Sequence, residues 1–208
     1  MSYLCSKLMN GILNWDREVT LALNALHCPA TDAAWQVLSC RALWYALCGA
    51  MVAYLFIQLG WKRALVAVAA CALAFVLADR TAFFVKQAVA RLRPCWDPEM
   101  LDGGLRLLEG KGGRYGFFSA HAANALALAL CSFRCLRHDR VRYARGYAWV
   151  AFSLAFLIGI SRVFVGKHYA GDVLAGWAVG ALAGWLASWI FILSGRGRGM
   201  PRSRRQGR

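Results

Sequence analysis

Between two apolar segments of this chain lies Ser161-Arg162-Val163-Phe164-Val165-Gly166-Lys167-His168-Tyr169-Ala170-Gly171-Asp172. An arginine, a histidine and a carboxylate at a membrane edge cost free energy, so their presence points to a function that uses them. If the chain enters a helix here, His168 and Asp172, four residues apart, share one face. A carboxylate beside an imidazole fixes its tautomer and stabilises its charged form, as a histidine nucleophile or base requires. A polar cluster that only anchors a helix end accounts for the same residues. The stretch by itself leaves both readings open.

Two other polar groups stand beside apolar runs: Lys86 with Arg93-Pro94, and Ser119 with His121. Whether they can reach His168 depends on how the chain crosses its solvent. Of the 208 residues, 60% are hydrophobic and 17% charged, which is not the composition of a soluble domain. Residues 1–17 lack a long apolar core followed by small residues, so no cleavable signal is expected and insertion rests on later segments. Five stretches approach the roughly 20 apolar residues needed to cross a bilayer core of about 30 Å: 42–60, 64 to about 84, 117–135, 146 to about 163, and 172–193. Asp79 and Arg80 fall within the second and read as polar residues that pair inside the bundle. Gly176, Gly180 and Gly184 recur every four residues in the fifth, a small-residue stripe for close packing inside the bundle or, alternatively, for a second copy.

The first 31 residues are mixed rather than apolar, with Asp16, Arg17 and Glu18 among the leucines, and are expected to lie in the interface. A second short helix is expected to start at Thr31 or Asp32. Residues 86–117 break the apolar pattern with Pro94, Pro98 and many glycines, and are the natural cover for a site. Gly110-Lys111-Gly112-Gly113 lacks the Walker spacing and follows no strand, so it is not read as a phosphate loop of that kind.

The net charge of +15 is unevenly placed. Thirteen of the 25 lysines and arginines fall at Lys62 and Arg63, in 134–145 and in 196–208, with Asp139 the single acid among them. That is the positive-inside pattern, and it assigns these stretches to the cytoplasm. The basic tail has no aromatic interleaving, which argues against a nucleic-acid partner. Eight cysteines are scattered without CxxC or a Cys/His set at metal spacing, so neither a structural disulfide nor zinc is expected. Cys131 and Cys135, one turn apart, read as packing. With five spans the N-terminus is outside and the C-terminus inside. Lys86, Arg93, Ser119, His121 and 162–172 then all converge on the non-cytoplasmic face.

At that point the residues resemble a family. Lys86, six residues, then Arg93-Pro94; Phe118-Ser119-Ala120-His121; and Ser161-Arg162, five residues, His168, three residues, Asp172 are similar to the three-part signature of the type 2 phosphatidic acid phosphatase (PAP2) superfamily. The second part departs from it, with Phe118 for proline and Ala120 for glycine. The resemblance covers residues 79–193 well.

It implies an all-α polytopic membrane helical bundle of about five spanning helices with N-terminal interfacial helices. Residues 1–195 would form one integral membrane domain and 196–208 a basic, disordered cytoplasmic tail. It also implies metal-independent, cofactor-free hydrolysis of a membrane lipid phosphate or diphosphate through a phosphohistidine. By this resemblance His168, His121 and Asp172 are catalytic, and Lys86, Arg93, Arg162, Ser119 and Ala120 bind phosphate. Lys167, Arg114 and Tyr115 are headgroup candidates. Asn124 either orients His121 or bonds between helices, and Phe118 either touches a lipid tail or packs. The sequence running from Gly110 to Asn124 looks like the small bacterial envelope members that act on lipid A phosphates or undecaprenyl diphosphate. The setting implied is the phospholipid bilayer of a bacterial inner membrane, with the site facing the periplasm. Phosphotransfer to another lipid and a non-catalytic transporter or scaffold are the competing readings, and the oligomeric state is left open.

Overall fold

The computed structural model describes residues 2–195, so the tail at 196–208 lies outside the described residues. The chain forms α1 (Ser2–Ala25), α2 (Pro29–Ser39), α3 (Arg41–Val89), a 3-10 turn (Pro94–Trp96), α4 (Pro98–Asp102), α5 (Ala120–His138), α6 (Ala144–Phe164) and α7 (Ala170–Gly195). This is the all-helical membrane architecture expected from the sequence.

Three helices, α3, α6 and α7, are each long and apolar enough to cross a membrane. The 49 residues of α3 would extend about 74 Å if straight, more than twice a bilayer core. It does not run straight. Gly60 breaks it at φ 69° and ψ 160°, a backbone state that costs glycine little and other residues much. The two halves run in opposite directions. Tyr54, in the first half, stacks on Tyr147 at the start of α6 with ring centroids 5.1 Å apart. Past the break, Arg63 clamps Asp139 at the end of α5 at 2.6 and 2.9 Å and reaches Ser194 Oγ of α7 at 3.0 Å. The expected first and second spans are therefore one helix folded at Gly60, and its second half continues to Val89, which places Lys86 on its last turn.

At the centre is α5, enclosed by α3, α6 and α7. It is less apolar than its neighbours because it carries His121, Asn124, Ser132, Arg134, Arg137 and His138, and most of its buried positions are small, chiefly alanine and cysteine. Small side chains let backbones approach, and α7 meets them with glycines. A Cβ on Gly176 would lie 2.6 Å from the Ser119 carbonyl oxygen, and one on Gly184 would lie 2.5 Å from that of Ala127. The glycine stripe is thus spent inside the bundle. The seven described cysteines are free, and Cys71, Cys131 and Cys135 pack in the core.

The helix α1 does not cross the bundle; it lies over the end where α6 gives way to α7. It is not among the helices apolar enough to cross a membrane, and its polar residues face inward. Asp16, Thr20 and Asn24 are buried while Ile12, Trp15 and Leu26 are exposed. Asn24 Nδ2 donates to the carbonyls of Val163 (3.2 Å) and Phe164 (2.9 Å), the open end of α6. The next helix, α2, starts at Pro29, earlier than expected, because proline suits the first turn and the Thr31 hydroxyl accepts from the Cys28 amide at 2.9 Å.

Gly180→Leu places a side chain against the Ala123 backbone. It is expected to cost about 1–3 kcal/mol, read as a lower thermal midpoint in detergent. An unchanged midpoint would mean that the stripe faces lipid or another copy.

Candidate active site

The segment between α3 and α5 folds back on itself before α5 begins. Leu92 and Tyr115 form an isolated antiparallel bridge. Around it the Arg93 amide donates to the Arg114 carbonyl (3.0 Å) and the Gly116 amide to the Arg91 carbonyl (2.9 Å). Arg93 Nε donates to the Tyr115 carbonyl at 3.1 Å, so the ribbon aims this guanidinium as well as carrying it. Gly116 fills the space between Arg93 and Asp172: a Cβ there would lie 3.0 Å from Arg93 Cγ and 3.1 Å from Asp172 Oδ2. The glycine-rich stretch, expected from the sequence to cover a site, thus packs against Arg93 and Asp172.

Beneath it His168 is buried, in the turn just before α7 rather than within it. Its Nδ1 faces Asp172 Oδ2 at 3.3 Å. The same oxygen accepts from the Tyr169 amide at 3.2 Å, and Asp172 Oδ1 accepts from Arg91 Nη1 at 3.0 Å. With Nδ1 committed to the carboxylate, Nε2 is the ring nitrogen left for chemistry. Burial first, then the charges of Arg93, Arg162, Lys86 and Lys167, push the imidazole well below its ordinary pKa of 6.5. His168 is thus held neutral, the form with a lone pair to offer.

Each of these cations is held by a different element. Lys86 comes from the last turn of α3 and Arg93 from the ribbon. Arg162 is on the last turn of α6, where it donates to Ser39 Oγ and lies 3.8 Å from Glu109. Its Nε is buried without a hydrogen-bond partner. Lys167 donates to the Gly110 carbonyl, lies 3.6 Å from Glu109, and is lowered in pKa chiefly by burial. His121, on the first turn of α5, lies within electrostatic reach of Arg162, His168, Lys86 and Arg93.

Ser119 is the N-cap of α5: its Oγ accepts from the Ala122 amide at 3.4 Å, and its own amide donates to the Asp172 carbonyl at 2.9 Å. That bond locks the start of α5 to the start of α7. The amides of Ala120 and His121 precede the first intrahelical bond of α5 and, with the helix dipole, favour an anion there. All eight residues named from the sequence (His168, His121, Asp172, Lys86, Arg93, Arg162, Ser119 and Ala120) thus gather at one end of the bundle. Among the described residues no group of three His, Cys, Asp or Glu could hold a metal ion.

The subsidiary candidates divide. Phe118 is buried in the core, which is the packing reading, and its peptide bond with Phe117 is cis. Asn124 Nδ2 donates to Asp79 Oδ1 of α3 at 3.4 Å, the interhelical reading. Arg114 is exposed, and the backbone of Tyr115 serves Arg93. Missed from sequence were Asp16, Thr20, Arg91 and Glu109. The Asp16-Arg17-Glu18 run and the arginine inside the spacer between Lys86 and Arg93 were the available signals.

Residues 63–196 match the PAP2 superfamily. The chain belongs to that superfamily. It is 30% identical over 185 residues to lipid A 4'-phosphatase of Porphyromonas gingivalis, covering 88% of this chain and 76% of that one. To lipid A 4'-phosphatase of Bacteroides thetaiotaomicron it is 31% identical over 180 residues, covering 84% and 76%. Among solved structures, the transmembrane PAP2-type phosphatidylglycerolphosphate phosphatase of Bacillus subtilis shares the fold at a TM-score of 0.68 and 20% identity, covering 94% of this chain and 90% of that one. Aquifex aeolicus LpxE shares it at a TM-score of 0.63 and 23% identity, covering 82% and 92%. The protein is a PAP2 phosphatase, a phosphoric monoester hydrolase built as a multi-pass membrane protein.

Because the pKa of His168 is lowered, the unfolded chain takes up that proton first, so this residue weakens the fold as pH falls below 6.5 and has no such effect well above it. In spectra of protein carrying nitrogen-labelled histidine, His168 is expected to be neutral at pH 6.5. An imidazolium signal from His168 at that pH would contradict the buried, cation-ringed environment.

Proposed function

We propose that this PAP2 phosphatase hydrolyses the terminal phosphate of a membrane lipid, with a lipid A phosphate as the foremost substrate, through a phosphohistidine at His168. One observation carries the chemistry: a buried neutral imidazole whose Nδ1 is held by Asp172 and which is ringed by Lys86, Arg93, Arg162 and Lys167. The names of the two relatives near 30% identity support the lipid A reading. Undecaprenyl diphosphate offers the same terminal phosphate beside an apolar tail.

In the first step His168 Nε2 attacks phosphorus, the bond from phosphorus to the lipid oxygen breaks, and His121, protonated once the negative charge of the substrate offsets the surrounding cations, donates to that oxygen. In the second, water attacks the phosphohistidine, His121 accepts its proton, and phosphate leaves with His168 restored. The phosphoryl oxygens carry the charge throughout, so catalysis rests on cations already in place. Arg93 and Arg162 can each present two donors to it, while Lys86 is a point charge. Ser119 and the amides at Ala120 and His121 complete the anion site. Alanine for glycine at 120 adds one methyl group and leaves the amide available.

The topology follows from charge. Lys62, Arg63 and the arginines of 134–145 lie at the end opposite the site, where α7 also ends, and the sequence 196–208 is basic. Positive residues stay cytoplasmic, which supports a site at the periplasmic face of a bacterial inner membrane. α1 to α7 act as one membrane domain.

Phosphate release by purified protein in detergent, with EDTA present, tests this across lipid A, undecaprenyl diphosphate, phosphatidylglycerophosphate and phosphatidate. Release from lipid A that is lost in His168→Ala, and that falls about 10²–10³-fold in Lys86→Ala or Arg93→Ala, is expected. Release that needs a metal, that survives in His168→Ala, or that is replaced by transfer of phosphate to a second lipid would overturn it.

A further inference from the structure

The family match begins at residue 63, so α1 lies outside it, yet α1 is bonded to the segment that carries the nucleophile. Ala170 and Gly171 open α7, and their amides have no carbonyl one turn back to bond. Thr20 Oγ1 accepts from the first at 3.0 Å and Asp16 Oδ1 from the second at 2.7 Å. α1 therefore caps α7 from across the fold. The other oxygen of Asp16 accepts from Arg91 Nη2 at 2.7 Å, and Arg91 Nη1 donates to Asp172 Oδ1 at 3.0 Å.

One guanidinium thus bridges two carboxylates, one on α1 and one on α7. Its plane is fixed as well, because it lies over the Tyr169 ring at 3.9 Å, and Tyr169 is pinned by its hydroxyl donating to Asp97 at 2.6 Å. Asp97 in turn accepts from Arg17 of α1 at 3.2 Å. The ring of contacts closes on α1 at both ends.

Resting on the phosphohistidine reading, we infer that Arg91, held by Asp16, is the positioning residue that keeps Asp172 aimed at His168, and that α1 is a working part of the active site. A planar fork suits this task and an ammonium does not, since only the fork can address both carboxylates at fixed angles. Arg91 is engaged on both sides by protein carboxylates, so its loss should leave substrate binding intact and slow the chemistry.

The test uses the full-length protein in detergent with the best lipid phosphate. Arg91→Ala is expected to lower kcat about 10- to 100-fold, the range for losing a hydrogen bond to a charged group. KM should stay within about twofold, the signature of an interaction that acts in the chemical step. Added guanidinium ion should restore turnover in Arg91→Ala and not in His168→Ala. Arg91→Lys, which keeps charge and bulk, should retain the wild-type thermal midpoint with an intermediate kcat, and Asp16→Asn should lower kcat in the same direction.

Wild-type kcat in Arg91→Ala, or a loss confined to KM, overturns the inference. So does a loss that guanidinium leaves untouched and that follows a fall in thermal midpoint, which would be a purely structural role. The two levels separate: turnover surviving in His168→Ala removes the phosphohistidine reading itself, whereas an inactive His168→Ala beside a fully active Arg91→Ala removes only this one.

Discussion

Like charges held close together repel, and the end of this bundle holds Lys86, Arg93, Arg162 and Lys167 around one buried imidazole. The fold holds three of these cations in place with protein contacts. Arg93 is braced by the carbonyl of Tyr115, Arg162 by Ser39 and Glu109, and Lys167 by Gly110 and Glu109. These supports hold position more than they cancel charge, and one donor on Arg162 has no partner. In the proposed reaction a phosphate group would bring negative charge to these cations and relieve that repulsion.

The transmembrane helices are packed so that this end can be compact. Glycines of α7 against alanines of α5 bring the two backbones together, and the bond from the Ser119 amide to the Asp172 carbonyl fixes their N-termini side by side. One N-terminus presents free amides and His121, and the other presents Asp172 beneath His168. At the far end Arg63 ties α3, α5 and α7 through Asp139, Ser194 and its stacking on Phe191. The alanine-rich seam between α5 and α7 therefore has a polar clamp at either end, one formed by Ser119 and Asp172, the other by Arg63 and Asp139.

Much of this was legible because the informative residues are expensive where they stand. His168 and Asp172 four apart, Lys86 with Arg93, and Ser119 with His121 stood out against an apolar background, and the count of spans put them at one end. The exact boundaries were less legible. Nothing in the composition around Gly60 distinguishes a loop from a folded-back helix, and α3 was carried to Val89 by packing on α5 and α7 that local pattern does not encode. Least legible was α1. Charged residues between leucines look like a surface face, whereas Asp16, Thr20 and Asn24 serve as caps for α6 and α7, partners about 140 residues or more away in the chain. Contacts of that separation leave no periodic trace.

The central claim is that the phosphoryl group passes through His168. It is met most directly by quenching the enzyme in base within the first turnovers on a lipid carrying labelled phosphate, then mapping the label by peptide. The account predicts an acid-labile, base-stable label on the peptide that contains His168, absent from His168→Ala. Label on another residue, or hydrolysis at full rate with no enzyme-bound label under conditions that trap other phosphohistidines, would contradict it.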